Sequence, residues 1–253
     1  GLSTATTWGL LALLIGGVGV KSAVMPLHGW LPGAMVAPTP VSALLHAVAV
    51  VKAGVFGMVR MIVFVFGADL LREMDASTLI AILAAITLLV GSALAIRHDN
   101  LKRRLAYSTI SQLSYVILGA FLANASSIIG ASTHIAMHAF GKITLFFCAG
   151  AILVATHKSE ISEMDGLGRH MPFTMAAFLI ASISIAGLPP LGGVWSKWYL
   201  LLGSLDAGYT VLVAVLMLST LLNIAYLLPI PIRAFFAGDR NTPRTLSLIH
   251  SGR

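Results

Sequence analysis

Charged residues are scarce in this sequence: 10% of its 253 residues are Asp, Glu, Lys or Arg, while 58% are hydrophobic. Soluble domains carry roughly 25% charged residues, and the mean hydropathy here is +0.93. This scarcity excludes an ordinary soluble enzyme. It also argues against a nucleic-acid partner despite a net charge of +7, because the basic residues lie in short loops between apolar runs. We therefore interpret the chain as an integral protein of the lipid bilayer.

Cysteine is nearly absent, since Cys148 is the only one and lies in an apolar run. A single thiol can form neither an internal disulfide nor an iron–sulfur site. The sequence also lacks the G-x-G-x-x-G segment that holds dinucleotides. We therefore predict no cofactor. The first residues, "GLSTATTW", contain neither an initiator Met nor the basic region of a signal peptide, so we expect an N-terminally incomplete segment of a longer polypeptide.

Long apolar runs are abundant. A helix needs about 20 apolar residues to cross a bilayer. About seven runs qualify, namely 8–25, 41–66, 79–96, 105–123, 128–156, 172–203 and 210–232. The predicted fold class is all-α, a polytopic membrane helix bundle.

Two of these spans contain helix breakers. As one helix, 172–203 would be about 48 Å long, more than the hydrocarbon core of about 30 Å. Gly187, Pro189 and Pro190 interrupt it, and the first span runs into Pro26. Broken helices at membrane depth are tolerated where they line a cavity or face protein, and they are typical of transporter sites.

Basic residues are distributed unevenly between the two sides of the predicted bundle. Loops 97–105 and 157–171 and the tail from 233 fall on one side and contain ten Lys and Arg, against Arg72 and Arg60 on the other. The ten are Arg97, Lys102, Arg103, Arg104, Lys158, Arg169, Arg233, Arg240, Arg244 and Arg253. The positive-inside rule then predicts that these loops and the tail are cytoplasmic, in a multi-pass protein of the cell membrane.

The remaining four lysines lie inside predicted spans, whereas all nine acidic residues lie in loops or the tail. These lysines are Lys21, Lys52, Lys142 and Lys197, and three histidines accompany them: His46, His134 and His138. A lysine at the centre of a membrane helix costs roughly 2.5–3.5 kcal/mol. Because burial disfavours the charged ammonium and histidine titrates near neutral pH, the seven basic groups are candidates for a proton relay.

Each group also has a structural interpretation. Lys21 and Lys197 lie near proline breaks and could extend to the interface, and His46 could make a structural hydrogen bond. His134 and His138, at i and i+4, could be a structural pair or two metal ligands, but no third ligand lies nearby in the sequence. We therefore predict no metal site. Polar residues of the span 105–123 could bond the backbone or line water; they are Ser108, Thr109, Ser111, Gln112, Ser114 and Tyr115.

Four stretches together resemble the antiporter-like family shared by Mrp-type multisubunit cation/proton antiporters and the proton-pumping membrane subunits of respiratory complex I. They are "KSAVMPLHGWLPGAMVAPTPVSALLHAVAVVKAGVF", "HDNLKRRLAYSTISQLSYVILGA", "HIAMHAFGKITLFFCAGAI" and "MDGLGRHMPFTMAAFLIASISIAGLPPLGGVWSKWYLLLG". The resemblance covers nearly all of residues 10–205 and is greatest to the D-type subunits of Mrp antiporters.

The resemblance implies two inverted repeats, each containing a broken helix. A transmembrane domain 1–232 would comprise a partial first repeat, 1–66, and a second repeat, 79–232, followed by a cytoplasmic tail, 233–253. Lys21 matches the lysine of the first broken helix, and Lys197 matches the exit-side residue of the second. His46 and Lys52 match a connecting helix, and His134, His138 and Lys142 match a basic central helix. The family's glutamate partner for the first lysine has no counterpart in this sequence.

The resemblance implies a proton-translocating subunit of a monovalent cation/proton antiporter, acting with other membrane subunits. Such a subunit is a transporter part rather than a catalyst. The alternative is a proton-pumping subunit of NADH-quinone oxidoreductase (complex I) or a related hydrogenase, a translocase in which redox chemistry elsewhere drives the same relay. A scaffold subunit without transport is a third hypothesis, which the cost of burying four lysines disfavours.

Overall fold

The computed structural model describes residues 4–45, 49–73 and 76–238, and the elements named below lie within these ranges. They are helices joined by short loops, and Met61–Phe66 continues α4 as a π-helix. The helices are α1 (Thr4–Lys21), α2 (Trp30–Gly33), α3 (Thr39–Ala43), α4 (Val50–Arg60), α5 (Ala68–Glu73), α6 (Ala76–Arg97), α7 (Leu101–Leu122), α8 (Ala125–Thr156), α9 (Pro172–Ala186), α10 (Gly193–Asp206), α11 (Thr210–Leu227) and α12 (Pro229–Phe236).

Five helical segments in the described part of the chain are long and apolar enough to cross a membrane. They are Thr4–Lys21, Thr78–Arg97, Leu101–Leu122, Ala125–Thr156 and Thr210–Phe236. The predicted span 172–203 is divided between α9 and α10, and the predicted span 41–66 includes α4 and its π-helical extension. The predicted all-α membrane bundle is confirmed.

Local capping explains the sharp boundaries around α7. The Asn100 side chain accepts a hydrogen bond from the backbone N–H of Arg103, which caps α7. The helix ends at Ala123, a residue in the left-handed conformation. Asn124 then forms a capping box with Ser127 at the start of α8. Because each Asn satisfies an N–H that has no partner within its helix, α6, α7 and α8 follow one another with turns of only a few residues.

Three segments predicted to lie on one side of the membrane meet at one end of the bundle. We call this the basic end: loop 98–100, loop 157–171 and the end of α12. The contacts are Leu101 N to Ser159 O at 3.0 Å, Ile161 N to Asp99 O at 3.0 Å, and a salt bridge of 2.9 Å between Arg233 and Asp165. The predicted grouping of these loops is therefore present in the structure. The tail from 239 lies outside the described residues.

The opposite end is joined by a second set of contacts. The Asn124 amide donates to the Gly203 carbonyl at 2.6 Å, and Ser126 donates to Asp206 at 3.1 Å. The start of α11 lies there too, since the hydroxyls of Tyr209 and Thr78 are 2.9 Å apart. From α6 onward, successive spans therefore run in alternating directions, and α9 with α10 make one broken crossing.

α7 is the central helix, because 18 of its residues are buried. Close helix packing depends on glycine, as it does elsewhere in membrane bundles where small residues allow backbones to approach. Gly130 of α8 lies against the Leu200 backbone and the Ser196 carbonyl of α10, so a Cβ at this position would come within 2.8 Å of the Leu200 nitrogen. The α8–α10 contact therefore requires glycine at position 130.

Gly130→Leu should lower the thermal unfolding temperature of the detergent-solubilised protein, because overpacking a close contact costs about 1–3 kcal/mol. Gly57→Leu is the matched control: Gly57 is also a helix-interior glycine, and no other atom lies within 4 Å of the place that its Cβ would occupy. Both changes raise helix propensity equally. Equal unfolding temperatures for the two variants would contradict the packing argument.

Candidate functional site

One face of α8 holds three basic side chains inside the bundle. His134, His138 and Lys142 follow one another at four-residue steps, and all three are buried. At 1.5 Å per residue the row extends about 12 Å along the helix axis. The helical period predicts this arrangement from the sequence, and the structure turns the face inward against α7 and α10.

Lys52 of α4 reaches the same row from another helix. Its side chain is buried, and its Nζ donates a hydrogen bond of 2.7 Å to the Ile135 carbonyl of α8. Ile135 is the neighbour of His134 along the chain. Lys52 therefore lies at the His134 end of the row, which joins the first part of the chain to the second.

Lys142 is fully buried at the other end of the row, and its Nζ donates to the Leu105 carbonyl of α7 at 3.1 Å. The same carbonyl accepts the Thr109 hydroxyl at 2.9 Å. A carbonyl oxygen has two lone pairs and can accept more than one hydrogen bond. The acceptor for this amine is therefore a neutral oxygen in the backbone of the central helix.

Lys197 is held by the break between α9 and α10. α9 ends at Gly187, whose left-handed conformation stops the helix and leaves carbonyls of the last turn without intrahelical partners. The Lys197 Nζ donates to one of these, Ala186 O, at 2.9 Å, and lies 3.5 Å from the Thr220 hydroxyl. Pro189 and Pro190 lie in the connection between the two helices. The break thus creates the acceptor that the buried amine uses.

Tyr115 and Ser196 connect Lys197 to the row on α8. The Lys197 amine lies over the Tyr115 ring, 4.9 Å from its centroid, and the centroid of the His134 ring lies 5.3 Å from that of Tyr115. His134 Nδ1 is 2.9 Å from the Ser196 hydroxyl, and the His134 and His138 rings are 6.0 Å apart. Lys52, His134, His138, Lys142 and Lys197 therefore form one contiguous buried group, which we call the basic cluster.

Hydroxyl and amide groups extend this interior toward the basic end. The Tyr226 hydroxyl donates to Ser108 at 2.9 Å and contacts the Asn223 side-chain oxygen. The Tyr115 hydroxyl faces the α11 side chains of Ser219, Thr220 and Asn223. Buried polar groups of this kind bond either to each other or to water.

Within the described residues, some of these polar atoms have no hydrogen-bond partner of good geometry. They are the amide oxygen and nitrogen of Gln112 and the amide nitrogen of Asn223. An unpaired buried polar group costs about 1–3 kcal/mol, whereas a bound water satisfies it. The interface between α7 and α11 therefore holds buried polar atoms beside the basic cluster.

The ionisable groups of the basic cluster are all basic. Among the described residues, the only buried carboxylate is Asp165, which lies in the loop 157–171 and pairs with Arg233. The amines of Lys52, Lys142 and Lys197 thus donate to carbonyl or hydroxyl oxygens. In the same described part of the chain, no three His, Cys, Asp or Glu side chains converge as metal ligands.

One predicted relay residue, Lys21, is not in the cluster, because it ends α1 with its side chain exposed. His46 lies outside the described residues. Pro26 lies in the loop that follows α1. At this first break the carbonyl of Val20 accepts the Trp30 indole N–H at 2.8 Å. The role of Lys21 and of His46 in a relay stays a prediction.

The polar residues of α7 are of two kinds. Thr109 and Ser114 bond the backbone one turn earlier, while Ser111 bonds Ser92 of α6 at 2.8 Å. Gln112 and Tyr115 face the polar interior. Sequence reasoning missed the partners on α10 and α11: Ser196, Ser219, Thr220, Asn223 and Tyr226. The spacing of Ser219, Asn223 and Tyr226 could have indicated part of this set in the sequence, because it places three polar groups on one face of an apolar helix.

A family model described as "NADH:quinone oxidoreductase/Mrp antiporter, TM" matches residues 1–223. The chain belongs to this family. The resemblance predicted from the four sequence stretches is confirmed.

Curated relatives from the family share substantial identity with this chain. NADH-quinone oxidoreductase subunit N of Desulforudis audaxviator is 40% identical over 232 residues, which cover 90% of this chain and 45% of the relative. The chloroplastic NAD(P)H-quinone oxidoreductase subunit 5 of Gossypium barbadense is 39% identical over 195 residues, covering 74% of this chain and 25% of the relative. The chain thus spans less than half the length of these relatives.

Solved structures of the family share the fold. The Mrp complex of Dietzia sp. DQ12-45-1b contains a chain with a TM-score of 0.86 and 26% identity, with 93% of this chain and 43% of that chain covered. A chain of the membrane-bound sulfane sulfur reductase, an archaeal respiratory membrane complex, gives a TM-score of 0.83 and 27% identity, with 94% and 49% covered. This member of the NADH:quinone oxidoreductase/Mrp antiporter family is therefore an integral multi-pass membrane protein.

Tyr226→Phe should destabilise the protein, because it removes a fully buried hydroxyl and leaves Ser108 and Asn223 without their partner. Loss of a buried hydrogen bond costs about 1–2 kcal/mol, seen as a lower unfolding temperature in detergent. Tyr199→Phe is the control, since Tyr199 is 37% exposed. An unfolding temperature as high for Tyr226→Phe as for the control would show that the α7–α11 network contributes no stability.

Proposed function

We propose that this chain is a proton-translocating membrane subunit of a multisubunit monovalent cation/proton antiporter of the Mrp type. The observation that carries the proposal is the basic cluster: three buried lysines and two histidines on α4, α8 and α10, in a bundle interior where the described residues supply no carboxylate. Placing an ionisable group inside a membrane span costs free energy, and groups of this kind therefore usually have a function.

Protons would move along the cluster by changes in charge. A second ammonium nearby disfavours the first, so proton arrival at one lysine promotes release at its neighbour. His134 and His138 can accept or donate a proton at a ring nitrogen, and their ring centroids lie 6.0 Å apart. Tyr115 and Ser196 would connect Lys197 to this row through hydroxyl groups and water.

The transported cation would bind elsewhere. Sodium, like other hard cations, prefers oxygen ligands and above all carboxylates. The described interior offers lysines and histidines instead, which repel a cation. We therefore propose that the cation site is formed with other membrane subunits of the complex.

We propose further that the basic end faces the cytoplasm. Loops 97–105 and 157–171 are rich in Lys and Arg, and the structure gathers these segments at one end of the bundle. The positive-inside rule assigns such an end to the cytoplasmic side of a cell membrane.

Lys158→Cys should accordingly be labelled by a membrane-impermeant maleimide only after the cells are opened.

A second candidate has equal support. The sequence is 40% identical to a NADH-quinone oxidoreductase subunit N, and this favours a proton-pumping subunit of complex I or of a related respiratory or hydrogenase complex. The relay would be the same, and only its driving reaction would differ. Measuring proton movement through the relay cannot distinguish the two functions, but identifying the partner subunits can.

Lys142→Met and Lys197→Met should each abolish proton movement by the assembled complex, because methionine keeps the apolar length of the side chain but carries no proton. Proton flux is measured in inverted vesicles with a pH-sensitive dye. Lys158→Met, in the loop at the basic end, is the control and should keep full flux. Subunit content is measured in each vesicle preparation, so that loss of assembly is not mistaken for loss of transport. Full activity of either buried-lysine variant would refute the relay.

Copurification distinguishes the two candidate complexes. An affinity tag on this chain should retain other antiporter membrane subunits, with flux dependent on Na⁺ or K⁺ and independent of NADH. Retention of subunits containing iron–sulfur clusters, with flux that requires a redox substrate, would replace the antiporter assignment by the respiratory one.

A further inference from the structure

A cavity of about 500 Å³ opens at the basic end, where α6 ends and α7 begins. Arg97, Lys102 and Arg103 are among the residues that line it, and Asp99 and Glu160 also contribute. None of these residues belongs to the basic cluster. The cavity is therefore a separate feature, and the transport proposal does not use it.

The two carboxylates at this cavity are occupied by neutral hydrogen-bond donors. Asp99 accepts the Ser162 backbone N–H at 3.2 Å and its hydroxyl at 2.6 Å. Glu160 accepts the Asn100 amide at 3.0 Å and the Ser159 hydroxyl at 3.1 Å. Their oxygens thus fasten loop 157–171 to the start of α7.

The cations at the cavity are left without acidic partners. Within the described residues, neither Arg97 nor Arg103 makes a salt bridge, and the Lys102 amine donates to the Ala37 carbonyl at 2.9 Å. Three cations against two carboxylates leave a net charge of +1 around the cavity. Both arginines are accessible to solvent, so their guanidinium groups can turn toward an anion.

His98 reports the same positive environment. Burial and the charges of Arg103 and Arg104 lower the pKa of this loop histidine below its usual value. The protonated imidazole is disfavoured here first because burial removes water from it and second because the positive charges of Arg103 and Arg104 lie nearby. A neutral His98 can still donate one hydrogen bond to an anion.

Part of the cavity lining is apolar. Pro32, Met35 and Val36 line it, and Val36 is 91% exposed. A strongly exposed apolar side chain beside accessible arginines, at the ends of two membrane spans, matches an amphiphile rather than a soluble anion. The arginines suit a phosphate group, and the apolar wall suits the start of an acyl chain.

We propose that this cavity binds the headgroup of an anionic phospholipid, with its phosphate at Arg97, Arg103 and Lys102 and its glycerol and upper acyl chain against Val36 and Met35. Basic pockets at the ends of membrane helices recruit such lipids, and this cavity lies where α6 ends and α7 begins. It goes beyond the proposed transport function, and either assignment can fail without the other.

The test uses the protein purified in detergent with the subunits that copurify, stripped of lipid and then titrated with phosphatidylglycerol or phosphatidylcholine. Native mass spectrometry counts the bound lipid. Wild type should retain phosphatidylglycerol in preference to phosphatidylcholine. Arg97→Gln with Arg103→Gln should weaken retention by about tenfold or more, as expected for removing two charges near the membrane surface. Val36→Glu, which adds a carboxylate to the exposed apolar wall, should weaken it as well.

Arg169→Gln is the control, because Arg169 is an exposed arginine at the same end of the bundle and does not line the cavity. It should retain phosphatidylglycerol as wild type does. Equal retention by the double variant and this control would overturn the proposal, as would a wild type without preference for phosphatidylglycerol. Displacement of the lipid by millimolar inorganic phosphate would also overturn it, because it would identify a soluble-anion site.

Discussion

The interior of this bundle depends on how a lysine amine is satisfied where the described residues offer no carboxylate partner. An ammonium in a low-dielectric medium must find neutral oxygens or lose its proton. Lys52 uses a carbonyl of α8 and Lys142 uses a carbonyl of α7, since a carbonyl oxygen can accept more than one hydrogen bond. Lys197 uses the Ala186 carbonyl at the end of α9. These acceptors hold the amines in place but neutralise none of them, so each amine can release its proton without breaking an ion pair.

α7 is the element on which these contacts converge. Its Leu105 carbonyl accepts Lys142, its Tyr115 ring lies between Lys197 and His134, and its Ser108 hydroxyl accepts Tyr226. A helix buried on all sides carries polar groups toward several neighbours, and this explains why its Ser, Thr, Gln and Tyr residues follow no single face. Helix α7 therefore lies between the row of His134, His138 and Lys142 on α8 and the polar face of α11.

The sequence was sufficient to predict the parts of the site that depend on local periodicity. Apolar runs predicted the spans, Gly187 and the following prolines predicted the second break, and the four-residue spacing from His134 to Lys142 predicted one basic face. It was insufficient for contacts made by tertiary packing. The approach of Ser196 to His134 depends on Gly130 and the α8–α10 distance, which no pattern within one helix reveals. For Lys21 the sequence left a buried relay position and an interfacial position open, because a position within an apolar run does not say which neighbour covers the side chain.

The two broken helices differ in the group that donates a hydrogen bond to a carbonyl at the break. Each break frees a carbonyl near the end of the first half-helix, and a buried or interfacial carbonyl needs a donor. At the first break the donor to Val20 is the Trp30 indole, which cannot release a proton at physiological pH. At the second break the donor to Ala186 is the Lys197 amine, which can. Protonation of Lys197 therefore places a positive charge directly on the second break, whereas the donors to Val20 at the first break, the Trp30 indole and the Ala23 backbone N–H, carry no titratable proton. At the second break a titratable side chain donates directly to a carbonyl at the end of α9, and this is the difference between the two breaks.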